Sequence, residues 1–129
     1  MKLGEKIKPI IIFDNLGQLV RTMRAKTGKK QVEVARKLNM TVAYWSAIEN
    51  EKKPFPPAIF DRVMDVLDVP PDYIQHAKEL LLNNTTEVRL KLDNSHQCAK
   101  EAAMAFARKF SQLGPQQLSQ IKEICELNN

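Results

Sequence analysis

Apolar residues in the first eighty positions recur at helical spacing, and turn residues interrupt them at short intervals. Leu16, Leu19, Val20 and Met23 lie three or four apart. Asp14 or Asn15 before them can accept the first free amides of a helix, and Gly28 suits its end, which predicts a helix to about Lys26. A second helix is expected from about Lys30 to Leu38, with Val32, Val34, Ala35 and Leu38 apolar. Asn39 tolerates the left-handed backbone of a tight turn. Thr41 then suits the cap of a third helix from Val42 to about Asn50, whose inner face carries Trp45 and Ile48. Lys52-Lys-Pro-Phe-Pro-Pro57 reads as a loop. Pro57 opens a fourth helix with Ile59, Phe60, Val63, Met64 and Leu67 inward. Pro70-Pro71 opens a fifth, with Tyr73, Ile74, Ala77, Leu80 and Leu81 inward, ending at Asn83-Asn84-Thr85.

The pattern then changes period. Glu87 to Leu92 alternates strictly, with Val88, Leu90 and Leu92 on one face and Glu87, Arg89 and Lys91 on the other, which predicts a half-buried strand. Asp93-Asn-Ser95 suits the cap of a helix to about Gln112, striped by Cys98, Ala102, Ala105, Phe106 and Phe110. Gly114-Pro115 breaks it, and a last helix to Leu127 carries Leu118, Ile121, Ile124 and Cys125. At the other end, Pro9-Ile-Ile-Ile-Phe13 suits a short strand or a cover for the core, with a basic arm through Lys2, Lys6 and Lys8 as the alternative. The expected fold is therefore mainly α. A five-helix domain occupies residues 1–83, with its core at about 14–69, and residues 84–129 add a short β-strand and two helices.

Charge sharpens this picture. The net charge is +5 over 129 residues. Nine Lys or Arg against three acidic residues fall between Asn15 and Lys53, whereas from Asn84 onward the balance is six against five. The positive charge is concentrated in the segment that holds the first three predicted helices, as expected of a unit that meets a polyanion. The longest apolar run, Ile10 to Phe13, is too short for a membrane span, and no secretory pattern is seen at the N-terminus, so the expected compartment is the cytoplasm. Cys98 and Cys125 sit at apolar helical positions, and the histidines, His76 and His96, lie far apart in the chain. No metal or other cofactor is expected. Paired carboxylates, a nucleophile with its base and a Gly-rich phosphate loop are all lacking, so no enzymatic activity is expected. Ser111, Ser119 and Lys122 do not make a convincing self-cleavage dyad.

The most informative stretch runs from Gln31 to Glu49. Two short helices meet at Asn39, small Ala35 permits a close crossing, and Val34, Leu38, Met40, Trp45 and Ile48 fill the angle between them. The outer face of the later helix is left free for the major groove of duplex DNA. On Leu16, Leu19, Val20, Arg24, Gln31, Ala35, Leu38, Thr41, Ser46, Ile48 and Glu49, continued by Pro54, Phe60 and Leu67, the sequence resembles the XRE family of lambda-repressor-like helix-turn-helix proteins over about residues 16–69.

The resemblance implies double-stranded DNA as partner and transcriptional regulation, most simply repression, as the role. It places Gln31, Thr41, Val42, Ala43, Ser46 and Ala47 towards the bases, with Thr41 also within reach of a phosphate. It places Tyr44 near the backbone and makes Arg24 and Glu49 a structural ion pair. Lys29, Lys30, Arg36, Lys37, Lys52 and Lys53 are the candidate phosphate contacts. The sequence departs from the family at Glu51, where glycine is common, and at Lys30, where Ser or Thr usually caps. Val42, Ala43 and Ala47 also lack the groups that make bidentate bonds to guanine or adenine, although such side chains pack on thymine methyls. Readout would lean on Gln31, Thr41, Ser46 and DNA shape, giving modest base discrimination and steep salt dependence.

One such module suits a half-site, so a homodimer is expected, formed through Val88, Leu90, Leu92, Phe106, Phe110, Leu118 and Ile121. The alternatives are that residues 84–129 merely complete one core, or that they bind a toxin, an antirepressor or a small effector. Phage repressor, autoregulating antitoxin and mobile-element regulator all fit the resemblance.

Overall fold

The computed structural model describes residues 11–127. The described chain is helical, with seven α-helices, two short 3₁₀ turns and no strand. The residues up to Val88 form one compact unit and those from Arg89 onward another.

Five helices lie in the first unit. Helix α1 is Leu16–Thr27, α2 is Gln31–Lys37 and α3 is Val42–Glu49. A 3₁₀ turn at Pro57–Ile59 leads into α4, Phe60–Val66, and α5 is Pro71–Asn84. Each early boundary has a local cause. Asn15 caps α1 by accepting from the Gln18 amide at 2.8 Å, and Thr41 caps α3 by accepting from Tyr44 at 3.1 Å. Glu33 accepts from the Lys30 amide at the start of α2, 2.9 Å away, which is one of the two bonds of a capping box. Gly28 stops α1 in the left-handed region at φ 75°, and Asn39 does the same after α2 at φ 59°.

The core of this unit gathers Leu16, Leu19, Val20 and Met23 of α1 with Val34, Ala35 and Leu38 around α2. Trp45 and Ile48 of α3, then Phe60, Val63, Met64, Leu67, Val69 and Ala77, complete it. α3 packs against both α1 and α2, and α5 packs against α1. Trp45 has no exposed surface and anchors α3. Truncating so large a buried side chain costs about 3–5 kcal/mol. Arg62 of α4 donates to the Lys37 carbonyl at 3.0 Å, tying α4 to the end of α2.

The alternating segment 87–92 is not a strand. Val88 and Leu90 are 64% and 65% exposed, and residues 85–92 are neither helical nor in a strand. Alternation gives a segment two faces, but a strand also needs a ladder partner for its backbone, and none of the described residues supplies one. The described residues of the stretch ending at Phe13 bond elsewhere. The Ile11 amide donates to the Tyr73 hydroxyl at 2.9 Å and the Phe13 amide to His76 Nε2 at 3.0 Å. The Phe13 ring is buried beside Tyr73 and His76, so this stretch covers the core without being a strand. Residues 1–10, and with them the suggested arm lysines Lys2, Lys6 and Lys8, lie outside the described residues.

The second unit contains α6, Gln97–Lys109, a 3₁₀ turn at Phe110–Gln112, and α7, Pro115–Cys125. α6 begins after His96, with none of the expected Asp93–Ser95 residues as its cap. Asp93 and Asn94 form a turn instead, with Asn94 at φ 64° and the Ser95 amide donating to Leu92 O at 3.1 Å. Neither helix of this unit has a fully buried residue. No helix among the described residues is long and apolar enough to cross a membrane.

Candidate nucleic-acid interface

α3 divides sharply into two faces. Trp45, Ile48 and Glu49 are buried, whereas Thr41, Val42, Ala43 and Tyr44 are exposed. Ser46 and Ala47 are half-buried along the edge. Around this surface Lys30, Arg36, Lys37, Lys52 and Lys53 are all exposed. Lys29 is different: it is half-buried, and its Nζ lies 3.8 Å from the Asp68 carboxylate.

A buried polar cluster holds α3 in place. Glu49 has no exposed surface, yet its carboxylate accepts three hydrogen bonds. Arg24 Nε donates to Oε2 at 2.6 Å and Nη2 to Oε1 at 3.1 Å, in the bidentate geometry that suits a carboxylate. Gln31 Nε2 donates to Oε1 at 2.8 Å. Arg24 Nη1 also donates to the Lys29 carbonyl at 3.0 Å, so the cluster joins α1, the α1–α2 turn, α2 and α3. The ion pair is structural, as the resemblance implied. Gln31, expected to face the bases, is half-buried and has its amide nitrogen engaged with Glu49.

The end of α3 is fastened by residues that sequence reasoning missed. Arg21 Nη1 donates to the Glu49 carbonyl at 2.8 Å and lies 3.4 Å from Asn50 Oδ1. Asn50 Nδ2 in turn donates to the Ser46 carbonyl at 2.8 Å and to its hydroxyl at 3.3 Å. Glu51 takes the left-handed conformation at φ 60° and accepts from the Gly17 amide through Oε2 at 2.7 Å. Arg21 is an exposed basic residue of α1 whose only sequence signal is its spacing beside the apolar stripe. Asn50 was legible merely as a helix end.

These features together make a bent helix pair with a free outer face and a cationic rim. Residues 15–77 match the family model of a helix-turn-helix domain. The matched span covers α1 to α4 and half of α5, and therefore the whole of the polar cluster and the exposed face of α3. Neither a curated protein nor a solved structure matches the chain. Within the matched span, Trp45 packs inward and Val42 outward on the same helix, so the buried contacts of α3 fix which face is presented.

The residues expected at a dimer interface lie in or near the second unit. Phe106 and Phe110 are exposed and stand 5.3 Å apart between ring centroids, while Leu92, Leu118 and Ile121 are half-buried. Val88 and Leu90 are exposed in the irregular segment before α6. Cys98 and Cys125 are free thiols, both exposed.

Proposed function

We propose that this protein is a DNA-binding transcriptional regulator of the XRE type, acting as a repressor that lays α3 in the major groove. The observation that carries this reading is the split of α3, with Trp45, Ile48 and Glu49 buried and Thr41 to Tyr44 exposed beneath a rim of five exposed lysines and arginines. A polyanion fits that rim, and an α-helix fits the groove. Thr41, Val42, Ala43, Ser46 and Ala47 face the bases in this reading. Lys30, Arg36, Lys37, Tyr44, Lys52 and Lys53 hold the phosphates. The reading assigns the protein no reaction and places it in the cytoplasm with the DNA.

The protein binds as a two-fold dimer in this reading. Neither α6 nor α7 has a fully buried residue. Phe106 and Phe110 are exposed and Leu118 and Ile121 only half-buried, and in this reading a second copy of the same stripe covers them. A two-fold pair also places two recognition helices about one DNA turn apart. The same stripe supports a second reading, in which these helices hold a toxin or antirepressor and DNA binding regulates the operon.

Footprinting on the DNA upstream of the protein's own gene tests the first reading. Protection is expected from the full chain and not from Ala43→Glu, which sets a carboxylate on the exposed face. Equal protection by both contradicts it. Sedimentation of Phe110→Glu beside the unaltered chain tests the dimer, and a monomer in both cases contradicts it.

A further inference from the structure

We propose that α3 selects thymine, by seating the 5-methyl group that this base carries into the major groove against Val42, Ala43 and Ala47. The inference rests on the DNA-binding reading above and names what that surface recognises.

The polar side chains nearest the groove each hold a bond within the protein, although the Thr41 and Ser46 hydroxyls accept theirs and keep a hydrogen to donate. Gln31 Nε2 is held by Glu49, the Ser46 hydroxyl accepts from Asn50, and Asn50 Oδ1 lies by Arg21. Thr41 Oγ1 accepts from the Tyr44 amide. Breaking the Gln31 bond to turn its amide towards a base edge would weaken the cluster that holds α3. Exposed apolar surface remains: Val42 is 40% exposed, Ala43 is exposed and Ala47 half-exposed. Val42 also shares an open depression of about 460 Å³ with Val32, Met40 and Arg36, so the apolar surface continues towards α2. The exposed cationic rim points to a polyanion as occupant. In the major groove of a duplex, the apolar feature is the thymine methyl. Arg36, in the same depression, is placed for the adjoining phosphate.

The test uses the full chain and four alternating copolymer duplexes. They are adenine–thymine, its deoxyuridine counterpart lacking only the methyl, guanine–cytosine, and guanine–5-methylcytosine, which restores a methyl at the corresponding place in the groove. Binding is measured by competition at fixed salt. The expected result is tighter binding of the thymine duplex over the uracil duplex by about fourfold per seated methyl, the ratio that burying one such group supports. The methylcytosine duplex is expected to exceed its unmethylated form in the same direction, which separates methyl contact from groove shape. Val42→Ser should bring both ratios towards one. Equal affinities for thymine and uracil duplexes overturn the inference and leave the DNA-binding reading standing. Ratios unaltered by Val42→Ser overturn the role of that residue. Binding to none of the four duplexes overturns both the inference and the reading beneath it.

Discussion

The Gly17 amide donates to Glu51 Oε2 at 2.7 Å, joining the first turn of α1 to the residue just beyond α3 across 34 positions of sequence. A negative charge at a helix start is favoured by the unpaired amides there. The approach is close enough to exclude any side chain: a Cβ on Gly17 would lie 2.5 Å from Glu51 Oε2, 2.7 Å from the Glu49 carbonyl and 2.9 Å from the Ile48 carbonyl. Two of these three atoms are backbone. Gly17→Ala is therefore expected to cost about 2 kcal/mol or more, read as a fall in the denaturant midpoint. Glu51→Gly relieves a left-handed backbone at a gain of about 1 kcal/mol but removes a charge-assisted bond, and a net loss of about 1 kcal/mol is expected. A stabilised Glu51→Gly variant would show that the carboxylate is not a cap.

Removing Arg24 strands a fully buried carboxylate. Arg24→Met is expected to lose about 3–5 kcal/mol of stability, because Glu49 then stays buried with only Gln31 to satisfy it. Arg24→Met with Glu49→Leu should recover much of that loss, since the charge left behind, not the missing attraction, carries the cost. A double-mutant cycle from urea unfolding measures this, and additive losses would contradict it.

Trp45 is the single tryptophan of the chain, and it is fully buried on the inner face of α3. Its indole Nε1–H has no hydrogen-bond partner in this structure. Its emission is expected to be blue-shifted in the native state and to move red on unfolding, so it reports the folding of the first unit. Adding DNA should leave the emission maximum almost unmoved, because the groove-facing surface is the opposite one. A strong red shift on DNA binding would mean that α3 leaves its core.

Much of this was legible where the cause is local. Gly28 and Asn39 take left-handed conformations because few other residues do so cheaply, and each stands where a helical stripe stops. Trp45 and Ile48 face inward as their spacing indicates. The segment 87–92 misled for a physical reason. Its alternation describes two faces, but a strand is completed by a neighbour that the segment itself cannot specify. The Gly17–Glu51 bond and the Arg21 bond to the Glu49 carbonyl span 34 and 28 residues, and only the crossing of α1 and α3 brings them together. Glu51 in sequence was merely a departure from a common glycine. In the fold that departure supplies a helix cap. Gln31, expected at the bases, is turned by Glu49 into part of the scaffold.

The cationic rim predicts the response to salt. Each phosphate neutralised should contribute about 0.9 to the slope of log affinity against log salt. Lys52→Ala and Lys53→Ala are each expected to lower that slope by about 1, with affinity falling across all sequences. Lys29→Ala should change it less, because Nζ is drawn 3.8 Å from Asp68 and the side chain is half-buried. Anisotropy titrations at several salt concentrations decide this, and equal slope changes for all three lysines would contradict it.

The most direct test is to follow the backbone amide NMR signals of the full chain as a duplex of about two helical turns is added. The largest shifts are expected from Thr41 to Ala47, with smaller ones at Lys30, Arg36, Lys52 and Lys53, and little change in α4. Shifts confined to α6 and α7, or an α3 that does not respond while DNA binds, would contradict the claim that the outer face of α3 is the surface that meets DNA.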